Sequence, residues 1–285
     1  MILRGMLKLN MWSVHRLFEA KIGHPVFSAT MARERFVFLR KVLRFDDPAT
    51  RAVRYQTDRF AAFRNIFESW NSRCSQMLVP YDFLTIDECL YQCRNQLGFK
   101  TYNPNKPAKY GINIKCLNEV EFPYTHASEV YAGKPAEIEG AQHFIPTTQG
   151  VTVHLLEDVG WRRLQGCNLT TDNLYSSVQL AQLLLEHKMT FLGTMRMNRK
   201  GLTPEIKNLA DREQLSTVVW HETEQGKLSL VSYAVQSKTK GKKNIILLST
   251  IPNLSTVGQQ GRIFPVKVIF FQDQHIVLLN KLVVF

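Results

Sequence analysis

Two aspartates stand at the ends of short β-prone runs and are 85 positions apart, at 87 and 172. The run Phe83-Leu84-Thr85-Ile86 delivers Asp87 and Glu88, and the run Cys167-Asn168-Leu169-Thr170-Thr171 delivers Asp172. Side chains so far apart in sequence meet only through folding. Directly after the first aspartate comes a cationic stretch: Arg94, Lys100, Lys106, Lys109 and Lys115, with no acidic residue between Arg94 and Lys115. Pro104 and Pro107 stiffen it. A carboxylate at a strand end, facing a cationic and pre-stiffened segment, suits a metal-assisted site for a phosphate backbone. The plainer alternative is a solvated acidic pair in a turn.

The elements that must position these residues follow from periodicity. Residues 83–88 read as a strand, 110–117 alternates as a second, and 124–132 is a third. A helix is expected over about 147–158, a strand over 166–171, a helix over 176–187 and a strand over 190–197. Ser176 and Ser177 are the caps expected for the second of those helices. Residues 1 to about 75 read as helical. Arg33 to Phe45 puts Phe36, Leu39 and Leu43 on one face and stops at Asp46-Asp47-Pro48. A further helix is expected from Thr57 to Asn71, with Phe60, Phe63, Ile66, Phe67 and Trp70 as its apolar set; aromatics at this spacing are far more often core than ligand platform. After Gly201 and Pro204 the pattern changes to a hairpin turning at Gln225-Gly226, then a strand over KKNIILLST. The run Lys238, Lys240, Lys242 and Lys243 reads as a solvated loop, with DNA contact as the alternative.

Composition bounds the function. The chain has 285 residues, 45% apolar, enough to bury a sizeable core. Lys plus Arg exceed Asp plus Glu by 36 − 24 = 12, with a pI near 9.5, which favours an acidic partner such as nucleic acid, or serves solubility alone. The five cysteines are odd in number and scattered, and Cys89 and Cys93 have neither redox nor paired-zinc spacing. Reduced thiols in an intracellular protein are the simplest reading. No stretch of 18 consecutive apolar residues occurs, so no membrane span is expected. The N-terminus, with basic residues interrupting its apolar ones, does not read as a signal peptide.

The words LTIDE, NPNKPAKYGINIK and NLTTDNLYSS together resemble those of the piggyBac family of transposases. The resemblance extends back to MARERFVFLRKVLRFDD and forward through FLGTMRMNRKGLTPEI and KKNIILLST, covering about residues 31 to 250. It implies an α/β, RNase H-like DDE/D core, with the first carboxylate on the first strand and the second just after the fourth. It also implies a helical dimerisation and DNA-binding region over 1–80, the core over 81–198, a β-rich insertion over 199–258 and a divergent end of the core over 259–285. Asp87 and Asp172 would be catalytic metal ligands for Mg2+ or Mn2+, and Arg94, Lys100, Lys106, Lys109 and Lys115 would contact DNA. A homodimer and a nuclear location belong to the same implication.

One carboxylate is missing from the pattern. Two divalent cations about 3.5–4 Å apart must clamp the attacking and leaving oxygens. In piggyBac relatives the third acid lies in a word close to YNxTKGGVDxxD, and no such word occurs here. After Glu224 the only acidic residue is Asp273, a weak third ligand that arrives several residues early. The divergent tail points to a broken reading frame in a decayed element, or to exon choice in a domesticated gene. The expectation is a transposable-element-derived DNA-binding protein with a defective cutting site. An active transposase using Asp273, and a domesticated protein-interaction module without DNA binding, are the alternatives.

Overall fold

The computed structural model describes residues 4, 6–9, 12–93, 95–104, 106, 109–133, 147–199, 202, 217–221, 227–237, 241–251, 269–272 and 275–278. The chain divides into two compact units, Met1–Arg51 and Ala52–Phe285.

In the first unit, α1 (Val14–Leu17) starts where the Ser13 hydroxyl accepts the Arg16 N–H. Next, α2 (Pro25–Thr30) begins on a proline, whose missing N–H costs a helix start nothing. The third helix, α3 (Arg33–Val42), buries Phe36, while Leu39 and Leu43 of the same face are exposed. Phe18 packs between Phe27 and Phe36, with ring centroids 5.9 and 5.4 Å away. These rings and the buried Leu17 form a small aromatic core.

The helix expected from Thr57 to Asn71 is instead two helices, α4 (Pro48–Thr57) and α5 (Arg64–Met77). Asp58 causes the break. Its carboxylate accepts the Phe60 N–H at 2.9 Å, closing a turn, and takes two bonds from the Arg64 guanidinium, at 2.8 and 3.1 Å. This local competition with the helix ladder is what aspartate does best. Pro48, read from sequence as a stop, opens α4.

The second unit is built on a nine-stranded sheet. Its strands are β1 (Phe83–Gln92), β2 (Thr101–Tyr102), β3 (Tyr110–Glu119), β4 (Thr125–Val130), β5 (Asn168–Thr171), β6 (Thr190–Met195), β7 (Thr217–His221), β8 (Ser229–Ser237) and β9 (Gly241–Ser249). Their order is β2-β3-β1-β5-β6-β9-β8-β7, with β4 also paired to β3. The pairs β1·β5 and β5·β6 are parallel; the others are antiparallel. Helix α6 (Thr148–Val159) precedes β5, and α7 (Val178–Glu186) crosses from β5 to β6. The expected order of three strands, helix, strand, helix, strand is therefore present, and β7–β9 continue the same sheet. The hairpin expected around Gln225-Gly226 is present as β7 paired with β8, while its turn lies outside the described residues. A separate pair, β10 (Ile269–Gln272) and β11 (His275–Leu278), is antiparallel.

Ser177 caps α7 by accepting the Leu180 N–H, whereas Ser176 turns elsewhere. Leu84, Ile86, Leu117, Leu169 and Phe191 from the sheet pack with Leu155, Leu156, Leu180 and Leu184 from α6 and α7, all fully buried. Each such side chain contributes about 1.5–3 kcal/mol relative to exposure.

Helix α5 inverts the expectation drawn from its aromatics. Its buried residues are Arg64, Asn71 and Ser75, while Phe63, Ile66 and Trp70 are exposed. Asn71 Oδ1 accepts the Ser128 N–H at 2.7 Å, and its Nδ2 donates to Asp158 of α6 at 3.0 Å. Arg163 donates to the carbonyls of Ser75 and Leu78 at the helix end. A polar seam thus joins α5, β4 and α6 around a cavity of about 670 Å³. Among the described residues no helix is long and apolar enough to cross a membrane.

Candidate active site

β1 outlasts its parallel neighbour. The pairing with β5 runs from Phe83↔Asn168 to Ile86↔Thr171, and β5 ends there. Asp87 and Asp172 are the next residue after each paired segment, so they stand level where the parallel pairing stops. Asp87 does not end its strand, as the sequence reading had it. β1 continues for five residues beyond Asp87 against β3, from Glu88↔Lys115 to Gln92↔Gly111. The reason is the β-prone Ile112 and Ile114, which hold Tyr91 and Cys89 in register.

Both carboxylates are fixed by their own backbone. Asp87 Oδ1 accepts the Glu88 N–H at 2.7 Å, and Asp172 Oδ1 accepts the Leu174 N–H at 2.9 Å. The Asp172 carbonyl takes the Tyr175 and Ser176 N–H groups and the Ser176 hydroxyl. That hydroxyl lies 2.9 Å from Thr171 Oγ1. A side chain on Gly193 of β6 would collide with Ser176 Oγ and the Phe191 ring and crowd Thr171 Oγ1, so glycine there makes room for the turn that carries Asp172.

Burial pushes the Asp87 carboxyl up, and the negative charge of Asp172 pushes it the same way. The Glu88 N–H and the Lys106 ammonium partly offset this. Asp172 and Lys106 are thus both within electrostatic reach of Asp87. Tyr175 is buried, and its hydroxyl has no hydrogen-bond partner among the described residues. Burial, then Glu88, Asp172, Asp87 and Cys116, pushes its phenol far up. The Cys116 thiol is pushed up to about 12 by burial, then by Cys89 and Asp87.

The cationic candidates part company. Lys106 faces Asp87. Lys109 is exposed, and its carbonyl accepts the Asn103 N–H. Lys100 Nζ donates to the Asn95 carbonyl and sits 5.5 Å from the Tyr110 ring centroid. Lys115 lies in register with Glu88 on one side and Glu129 on the other. Burial pulls its ammonium down, and those two glutamates oppose the shift. Arg94 and Asp273 lie outside the described residues.

Residues 1–263 match the family model described as transposase IS4. The chain belongs to that transposase family. A cryo-EM structure of a piggyBac transposase, in a synaptic complex with hairpin DNA, is similar with a TM-score of 0.73 at 30% identity. The match covers 91% of this chain and 52% of that one, so this chain spans about half the length of that transposase. The chain is accordingly a piggyBac-like transposase relative, and its mixed sheet with flanking helices is an RNase H-like DDE core.

In this transposase core, sequence reasoning missed the support behind the second aspartate. Arg196 Nε donates to Asn173 Oδ1 at 2.8 Å, and Arg199 Nη2 donates to the Leu174 carbonyl at 3.0 Å. Two arginines just beyond β6 thereby clamp the turn that begins at Asp172. The signal was present in the word MRMNRK, as paired cations three residues apart after a strand. Gly193, in the same word group, carried no signal beyond being a glycine inside a strand.

Proposed function

We propose that this chain binds DNA by phosphate contacts along the β1–β3 ribbon, beside a two-carboxylate centre that holds a divalent cation without completing a cutting site. The observation that carries the reading is the level pair Asp87 and Asp172 with Lys106 in electrostatic reach. The similar piggyBac transposase is seen with hairpin DNA, which supports the same partner here.

The donor set fits a hard cation. Each aspartate gives one oxygen to a backbone N–H, and each keeps a second oxygen. Burial disfavours the Asp87 charge, so a cation there relieves a cost already present in the fold. Mg2+ or Mn2+ takes oxygen ligands of this kind and, when bound, supplies Lewis acidity toward a phosphoryl oxygen. Asp87 and Asp172 would be its protein ligands. The two-cation clamp needs a further carboxylate, and the family word that carries it does not occur within residues 1–285.

Two assays test the reading. DNA affinity should fall with salt at a slope of roughly −0.9 per phosphate neutralised. Changing Lys106 and Lys109 together to Ala should flatten that slope by up to about two units, and Lys115→Ala should leave it unaltered. Supercoiled plasmid with Mg2+ or Mn2+ should stay intact. Metal-dependent nicking that Asp87→Ala and Asp172→Ala both abolish would overturn the incomplete-site reading and assign Asp273 as a ligand.

A further inference from the structure

The face of the ribbon that carries Asp87 also carries three exposed tyrosines. Directly opposed residues of antiparallel strands share a face, and faces alternate along each strand. The register Asp87↔Cys116, Cys89↔Ile114, Tyr91↔Ile112 places Asp87 and Tyr91 on one face. The Cys93 N–H donates to the Tyr110 carbonyl, continuing the pairing, and Tyr110 falls on the same face as Ile112. Tyr102 lies opposite Tyr110 and therefore joins it. Relative exposures are 62% for Tyr91, 56% for Tyr102 and 55% for Tyr110, so all three residues are exposed to solvent. At about 3.4 Å per residue, Tyr91 is roughly 14 Å along β1 from Asp87, and the level of Tyr110 is roughly 20 Å away.

Tyr102 and Tyr110 meet with centroids 4.7 Å apart at 40°. A cross-strand pair at a sheet edge accounts for that contact by strand pairing alone. It does not account for the exposure of the pair, for Tyr91, or for Lys100 beside Tyr110. Lys100 stands 5.5 Å from the Tyr110 centroid, and the Lys106 charge is felt at Asp87. Aromatic faces interleaved with lysines along a strand ribbon are the recipe for holding single-stranded nucleic acid, because every base has a π-face and the cations follow the phosphates.

We infer that this face is a stacking platform for unpaired bases of a DNA strand, a few nucleotides from the phosphate that lies at Asp87 and Asp172. Bases inside a duplex already stack on each other and present no free face to the tyrosines. An unpaired overhang or hairpin tip does. The inference rests on the DNA-binding reading above and adds the structural class of DNA that the ribbon selects.

The test compares wild type with the pair Tyr102→Ala and Tyr110→Ala and with the pair Tyr102→Phe and Tyr110→Phe, all in the full chain. The probes are a short single strand carrying a fluorescent adenine analogue, the blunt duplex of the same sequence, and that duplex with an unpaired overhang. The alanine pair should weaken binding to the single strand and to the overhang by about five-fold or more, and to the blunt duplex by less than about two-fold. The phenylalanine pair should keep wild-type affinities, since the ring face is retained. Quenching of the analogue on binding should survive in the phenylalanine pair and vanish in the alanine pair. The salt slope should be the same in all three proteins, because no charge changes. Equal losses on single strand and duplex, or no loss at all, would overturn the platform while leaving phosphate binding intact. Failure of wild type to bind any of the three probes would overturn both readings.

Discussion

Two clusters of buried or half-buried charge lie in the second unit, and they are organised in opposite ways. Around Arg64 the seam is closed: Asp58 takes two guanidinium bonds, Asn71 joins Ser128 to Asp158, and Arg163 caps the end of α5. Around the Asp87 corner compensation is incomplete: Asp172 adds to the cost of burial, and the Glu88 N–H and the Lys106 charge offset it only in part. Even in the seam, compensation is uneven. Burial opposes the Arg64 charge, but Asp58, then Glu129 and Glu68, outweigh it and raise the guanidinium. Burial raises the Glu129 carboxyl, and Asp158 adds to this, although Arg64 at 3.6 Å and His154 pull it down. Arg64 is therefore Asp58's partner first. A closed cluster serves the fold, whereas an open one is a cost that a ligand can relieve.

The sharpest way to break this contrast is to remove the seam's central cation. Arg64→Met removes the guanidinium from Asp58 and Glu129 and should destabilise the chain by about 3–5 kcal/mol in denaturant unfolding. A loss below about 1 kcal/mol would mean the seam is as loosely held as the corner.

The corner should respond with the opposite sign. The folded Asp87 carboxyl titrates above the ordinary aspartate value of 3.8, so the native state holds a proton that the unfolded state has released. Stability therefore falls as pH rises from that value through the raised folded one, and is flat above it. Asp87→Asn has no proton to lose. It should melt a few degrees above wild type at neutral pH, and the gap should close below the ordinary aspartate range. A neutral-pH Tm equal to or below that of wild type would place Asp87 among the compensated groups.

A metal titration sharpens the comparison. Mn2+ or Mg2+ at one hundred times its dissociation constant should stabilise wild type by about 2.7 kcal/mol, by mass action. Asp87→Asn and Asp172→Asn should each lose most of that gain, while Glu129→Gln in the seam should keep it. Equal gains in all four proteins would put the cation elsewhere.

The difference between the clusters also marks what sequence could convey. β1, β3, β5 and α7 were legible because their apolar residues keep a strict period and Ser177 supplies a cap. The two aspartates could be named because each follows such a run. The seam was hidden because its residues are polar and their partners remote. Asn71 meets Ser128 and Asp158 across 57 and 87 positions, and periodicity weighs only apolar residues. For the same reason the exposed Ile66 and Trp70 looked like the inner face of α5. The break at Asp58 depends on a side chain outbidding the backbone ladder, and β1's extra length depends on β3 rather than on β1 itself.

That extra length sets an order of assembly. Asp87 and its partner Cys116 are 29 positions apart, whereas Asp87 and Asp172 are separated by 85. Closing the longer loop costs about 1 kcal/mol more chain entropy, and pairings distant in sequence form late. The ribbon with its lysines and tyrosines is thus expected to form first, and the second carboxylate to dock beside the first once β5 and β6 join. A nascent or partly unfolded chain would carry the cationic half of the site before the acidic pair exists, so its affinity for polyanions would precede any affinity for metal.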